Sequence, residues 1–310
     1  MTDLVVHIGL PKTATTTIQR HLLPGNPGYC REWGESSKKQ NFERDFLNIF
    51  RAGPNLWEGR LAEWASALYQ AFDPKTSDRI ILSNEQLSGM DESILGPDIR
   101  WPIGTFRQLG SLADSVERRP IVPFLKSLND IHWPHGRVKV LIVFRNQADW
   151  LASLYAQTSR KFRRASQADF EEQIEGIIGR GEHYIDWSGW VDALGNALGR
   201  ENVEILFMED IKEDRFWDCF SDFMGIAPDR ARTFIGRAGS RENVRKSDAD
   251  TWSLDRYRKG RFDWGRGKQI TLHAALRARI MAHCRIFNER LALQVGRGDL
   301  RALGYLPTSP

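Results

Sequence analysis

Cysteine is scarce. Cys30, Cys219 and Cys284 are odd in number and far apart in 310 residues, so they can build neither a disulfide framework nor a CxxC metal or redox site. A reducing compartment fits that usage. Long apolar runs are also lacking, and no stretch approaches the roughly 18 uncharged apolar residues that a bilayer-crossing helix needs. The first residues carry Asp3 and reach Pro11 after a short apolar run, without the basic start and longer apolar region of a secretion signal. The expected location is cytoplasmic. An excess of charge is missing too: 44 Lys and Arg stand against 40 Asp and Glu, a net +4, which argues against coating a nucleic acid and confines any basic patch to one locality. Apolar residues make up 41% and charged residues 27%, the usage of an ordinary globular chain. No repeat or low-complexity linker divides the sequence, so the expectation is one domain over residues 1–310.

What is present alternates between strand and helix. Short aliphatic runs at Leu4 to Gly9, Arg79 to Ser83, Val138 to Phe144 and Val203 to Phe207 read as strands, and the third is apolar enough for a parallel sheet covered on both faces. Helical spacing predicts a helix starting within Thr13 to Thr17, helices in 41–72, and a stretch around Phe124, Leu125 and Leu128. It predicts further helices at about 149–159, at 187–199 and, closing the chain, at 272–292. Strands separated by helices imply an α/β sandwich with a central parallel sheet.

The most informative window runs from His7 to Gln19, where a buried strand turns into a helix through Gly9, Pro11, Lys12 and Thr13, Ala14, Thr15, Thr16 and Thr17. Backbone amides at a helix start are unpaired and point outward, and Lys12 adds a full positive charge, so phosphate or sulfate is the expected guest. A lone Lys-Thr-x-Thr would be a helix cap beside a solvated lysine; the strand and turn around it favour the anion. The nucleotide triphosphatase loop G-x-x-x-x-G-K-[ST] does not fit, because the lysine follows Gly9 by three residues and no Gly-Lys-Thr triplet occurs. Nor does the strongest later strand end in a Mg²⁺-holding Asp; it ends in Arg145.

These residues resemble the sulfotransferases that use 3′-phosphoadenosine 5′-phosphosulfate (PAPS), especially a bacterial group whose first loop reads H-I-G-x-P-K-T-G-T-T-x-L-Q. Ala14 stands where that loop has Gly, and Ile18 where it has Leu. The resemblance implies a P-loop-type three-layer sandwich. It also implies a metal-independent transfer of sulfonate from PAPS to an acceptor hydroxyl of a carbohydrate or small-molecule alcohol, with 3′-phosphoadenosine 5′-phosphate (PAP) as product. On this resemblance the loop from Pro11 to Thr17 holds the donor. Lys12 contacts the moving sulfonate and its bridging oxygen, while Thr13, Thr15, Thr16 and the loop amides hold the 5′-phosphate. Thr17 replaces the adenine-stacking aromatic of the cytosolic branch, so base recognition must come from elsewhere.

A second element of that family is an Arg at a strand end followed eight residues later by a Ser on the next helix, gripping the 3′-phosphate; Arg145 and Ser153 have this spacing. An Arg fork with a hydroxyl suits a dianionic phosphate. A third element is a basic lid, matched by Arg258, Lys259 and Gly260 within 240–270, with Asn243 and Ser247 as an alternative anchor and a plain solvated basic face as the other reading. For the base that takes the acceptor proton the candidate is Glu85, just past the second strand, where bacterial relatives carry S-x-E. His132 and His135 are rivals, and His7 reads as a core histidine. The 160–164 and 256–268 basic clusters read as grips on cofactor phosphates or an anionic acceptor, with a plain solvated helix face as the other reading of the first. Trp57, Trp64 and Trp101 are open to a core or an acceptor-cleft role. An ATP-dependent P-loop kinase and a non-catalytic nucleotide-binding protein remain the alternatives. No nucleic-acid partner and no membrane span are expected.

Overall fold

An aliphatic run with no polar break is stable as a strand only where both faces are covered. In the computed structural model the first such run is β1 (Asp3–Gly9), whose Leu4, Val5, Val6 and Ile8 are fully buried. The structure describes residues 1–30, 41–88, 121–159, 165–179, 185–231, 233, 246–248, 250–254, 257–258, 263–264 and 269–307. A short helix α1 (Thr15–Thr17) continues as a π-helical turn over Ile18–Leu22. Helices α2 (Phe42–Ala52) and α3 (Trp57–Ala71) lead to β2 (Arg79–Asn84) and a 3₁₀ turn, Glu85–Ser88. Then come α4 (Ile121–Ser127), with a π-helical turn at Leu128–His132, and β3 (Val138–Phe144).

Beyond β3 the chain forms α5 (Gln147–Thr158), α6 (Gln167–Gly179), α7 (Trp187–Leu198), β4 (Val203–Phe207) and α8 (Asp214–Met224). Short strands β5 (Lys246–Asp248), β6 (Thr251–Ser253), β7 (Tyr257–Arg258), β8 (Asp263–Trp264) and β9 (Gln269–Thr271) precede α9 (Ala274–Val295) and a last 3₁₀ turn, Gly298–Arg301. Among the described residues no helix is long and apolar enough to cross a membrane.

The four strands expected from the sequence form one parallel sheet in the order β2-β1-β3-β4. Leu4 pairs with Ile80 on one side and Val138 on the other, and Gly9 reaches Val143. The chain therefore moves from β1 outward to β2, then back across to β3. That reversal leaves a crevice outside the carboxyl ends of β1 and β3, where open α/β sheets take their ligands. The expected α/β class with a central parallel sheet is what is found.

Two compact units make up the chain. The first comprises Met1–Gly96, Glu117–Phe144 and Val191–Ser240, and holds the parallel sheet. One sheet face, through Val5, Ile81, Leu141 and Val143, packs on Ile18, Leu22 and the α8 residues Phe216 and Phe220. The opposite-face residues Leu4, Val6, Ile142 and Phe144 are equally buried. In this unit Phe46 stacks near Phe124 and Trp64, and the buried indoles of Trp57 and Trp64 donate to the Phe50 and Phe42 carbonyls. Both tryptophans belong to the core, not to an acceptor cleft.

The second unit comprises Pro97–Val116, Arg145–Trp190 and Arg241–Pro310. Here β5, β6 and β9 make a small antiparallel sheet and β7 pairs with β8. Arg277 on α9 grips both carboxylate oxygens of Asp149 on α5, at 3.1 and 3.3 Å, and reaches Asp250 at 2.6 Å. Burial alone would lower the guanidinium pKa, but the two carboxylates hold it above its ordinary value. Three-residue strands have too few positions for alternation to show in sequence. Helices α6 and α8 were also absent from the sequence expectation, although Phe170, Ile174, Ile177 and Phe216, Phe220, Met224 recur at helical spacing.

Candidate functional site

The chain leaves β1 at Gly9 and folds Thr15 back onto it. A Cβ at position 9 would lie 2.2 Å from Thr15 Oγ1 and 2.5 Å from its Cγ2, so only glycine permits this turn. Thr13 is fully buried and donates its hydroxyl to the Leu10 carbonyl at 2.7 Å, which closes the loop from inside. Lys12 and Ala14 both have left-handed backbones, at φ 71° and 60°, with Thr13 between them in the ordinary hand. Alternation of hand turns successive N–H groups to one side and makes an anion-binding concavity. Thr15 Oγ1 is buried and has no hydrogen-bond partner among the described residues. A buried hydroxyl left so costs about 1–3 kcal/mol. Thr16 and Thr17 are half-buried on α1.

Of the two left-handed loop positions, Ala14 is the one where the resembled loop has glycine. Ala14→Gly is expected to raise the unfolding free energy by about 1 kcal/mol, since relief of the left-handed Cβ outweighs the added freedom of the unfolded chain. Urea unfolding of the two proteins measures this, and a loss of stability in the variant would contradict it.

Register places Glu85 beside this loop. Ile8 pairs with Asn84, the last residue of β2, so Glu85 follows one position beyond, at the carboxyl edge where Gly9 ends β1. It is half-buried at the start of the 3₁₀ turn. Underneath lies a polar chain: the Gln19 amide donates to the Ser83 carbonyl at 2.6 Å and to Ser83 Oγ at 3.2 Å, and Ser83 Oγ lies 2.8 Å from His7 Nδ1. Ser83 Oγ can accept from both Gln19 and an Nδ1–H of His7, and His7 Nε2 is buried without a hydrogen-bond partner among the described residues. His7 is fully buried, and burial pushes its pKa down to about 4. It is a core histidine, as expected.

His132 and His135 precede β3 and sit at the opposite, amino edge of the sheet. There the His135 carbonyl accepts from the Thr2 amide and its ring stacks on Tyr69. A seven-residue strand separates that edge from the loop, about 20 Å, so neither can serve a ligand at Lys12.

A carboxylate passed over in the sequence lies nearer. Glu43 on α2 is 9% exposed and accepts from the Asn84 side chain at 3.1 Å. Its signal was its place: it shares the buried face of α2 with Leu47 and Phe50, where a charge is costly unless partnered.

Arg145 follows the last residue of β3, two positions past Val143, the partner of Gly9. Ser153 is buried on α5 at 5% exposure. Arg258 lies in β7 and pairs with Asp263, and Ser247 lies in β5. Lys259, Gly260, Asn243, Trp101 and the 160–164 cluster fall outside the described residues.

No protein-family model matches the chain, and no curated protein does. Among solved structures it is similar to a sulfotransferase from Alicyclobacillus acidocaldarius at 17% identity and a TM-score of 0.45, covering 98% of this chain and 99% of that one. It is also similar to the sulfotransferase domain of the Synechococcus PCC 7002 olefin synthase at 13% identity and a TM-score of 0.35, covering 79% and 80% of the two chains. At such identity and overlap no residue role passes from either protein to this chain.

Proposed function

We propose that this chain is a sulfotransferase that moves a sulfonate from PAPS to the hydroxyl of a carbohydrate or small-molecule alcohol and leaves PAP. The observation that carries the proposal is the Gly9–Thr15 loop, with left-handed Lys12 and Ala14 at the switch point of the sheet. A loop amide concavity with one lysine suits a phosphosulfate. The sequence lacks the Gly-Lys-Thr of a triphosphate loop, which disfavours an ATP-dependent kinase. Residues 1–310 act in this reading as one catalytic domain, with the basic 240–270 segment, through Arg258, Lys259 and Gly260, closing on the nucleotide.

In the proposed reaction the acceptor oxygen attacks sulfur in line while the bond from sulfur to the bridging oxygen breaks. The electron pair of that bond stays on the 5′-phosphate oxygen, where Lys12 and the loop amides meet the growing charge. Thr13 has already given its hydroxyl proton to Leu10, so it meets the anion through its backbone amide alone. Thr15 and Thr16 can donate hydroxyl protons. Glu85 takes the proton of the acceptor hydroxyl, and Arg145 with Ser153 holds the 3′-phosphate.

Donor selectivity tests the reading directly. PAP is expected to bind much more tightly than AMP or ATP without added Mg²⁺, and Arg145→Ala is expected to cost on the order of 1.5 to 3 kcal/mol of PAP binding. Titration calorimetry measures both, and equal affinity for PAP and AMP would sink the assignment. The acceptor is found by offering labelled donor to a panel of glycans, phenols and other alcohols.

A further inference from the structure

We infer that Asn288, on the carboxyl-terminal helix α9, is a positioning residue for Arg145, acting through a buried amide pair with Gln147. The inference rests on the reading of Arg145 as the 3′-phosphate ligand. Three consecutive residues, Arg145, Asn146 and Gln147, are each tied by a side-chain hydrogen bond to distant chain. The Trp187 indole donates to the Arg145 carbonyl at 2.9 Å. The Asn146 amide donates to the Gly304 carbonyl at 2.8 Å, while its oxygen accepts from the Ala148 N–H at 3.1 Å and caps α5.

Gln147 donates to Asn288 Oδ1 at 2.6 Å and to the Ile185 carbonyl at 3.4 Å. Asn288 donates back to Gln147 Oε1 at 3.3 Å and to the Tyr305 carbonyl at 2.9 Å. Gln147, Asn288, Trp187 and Tyr305 have no exposure at all.

Each amide in the pair uses both of its N–H groups and its oxygen, so the network is complete, and a complete buried network permits one geometry. A side chain that must present a planar fork to a phosphate needs its backbone fixed to a fraction of an ångström. A strand end has no ladder partner of its own to do this. The ties from α9 and the turn after it supply the constraint, and Asn288 joins two of the anchor points, Gln147 and Tyr305.

The test uses the full chain, with PAP and AMP as probes, in wild type, Asn288→Leu and the double variant Gln147→Leu/Asn288→Leu. The double variant replaces both polar partners by apolar groups of similar size, which preserves stability better than leaving one amide unsatisfied. In wild type PAP is expected to bind more tightly than AMP. In both variants the ratio of the two affinities is expected to fall about tenfold while AMP affinity stays within about twofold, because AMP makes no use of Arg145. Exchanging the two side chains, Gln147→Asn/Asn288→Gln, keeps every donor and acceptor and is expected to restore the ratio.

If wild type does not distinguish PAP from AMP, the assignment of Arg145 fails, and the inference with it. If wild type distinguishes them and the double variant does so equally well, the inference alone is overturned. A parallel loss of affinity for both nucleotides marks a general structural role and overturns it as well.

Discussion

If the chain is the sulfotransferase proposed above, Glu85→Gln is expected to slow sulfonate transfer by roughly 10² to 10⁴-fold while PAP affinity stays near that of wild type. Glutamine keeps the shape and the hydrogen-bonding oxygen of the side chain and removes its capacity to accept a proton. Glu85 begins the turn after β2, outside the Gly9–Thr15 loop, so the variant leaves the residues of that loop unchanged. Lys12→Ala is the contrasting variant. In the proposed reaction its charge acts on the donor before and during transfer, so affinity and single-turnover rate are expected to fall together. With a working acceptor in hand, donor binding and single-turnover rate for both variants separate the two roles. Unimpaired turnover in Glu85→Gln would eliminate it as the base and move attention to Glu43, which reaches Asn84 at the same sheet edge. His132 and His135 are excluded by their position at the far edge.

The second large effect is on stability. His7 is buried and neutral, with a pKa near 4 in the folded chain against about 6.5 when unfolded. The unfolded chain therefore takes up this proton first as the pH falls. The stability held by neutral His7 is complete above pH 6.5 and drains away between pH 6.5 and 4, a loss on the order of 3 kcal/mol. His7→Asn can still hydrogen-bond Ser83, as donor or acceptor, and does not titrate, so its unfolding free energy is expected to lack this portion of the acid sensitivity. Urea unfolding at several values from pH 7.5 to 4 measures the difference, and parallel curves for the two proteins would refute it.

Much of the frame was legible because burial leaves a plain trace. The runs at Leu4, Ile80, Val138 and Val203 became the four parallel strands. The apolar spacing in 41–72 became α2 and α3, since residues covered on one or both faces must be apolar at the matching period. Strand order was not legible, because Val138 and Ile80 are chemically alike and nothing local tells β1 which will lie on either side. The left-handed hand of Ala14 could be anticipated from the glycine it replaces. That of Lys12 could not, because a lysine side chain carries no mark of backbone hand. The polarity of a parallel sheet could have excluded His132 and His135, since residues that precede a strand lie at its amino edge. Gln147 and Asn288 meet across the sequence as two unremarkable amides, so only the folded chain reveals the pair.

The central place of β1 in the sheet sets the order of events during synthesis. Its β3 partners lie about 130 residues away along the chain, a separation that makes the pairing slow to form. On the ribosome, β1 and the loop it carries must wait until Phe144 has emerged before the inner half of the sheet can close. Until then Leu4, Val5, Val6 and Ile8, which the folded protein hides completely, form an exposed segment of high strand propensity. Such a segment invites pairing with other chains. Refolding yield from denaturant should therefore fall steeply with protein concentration.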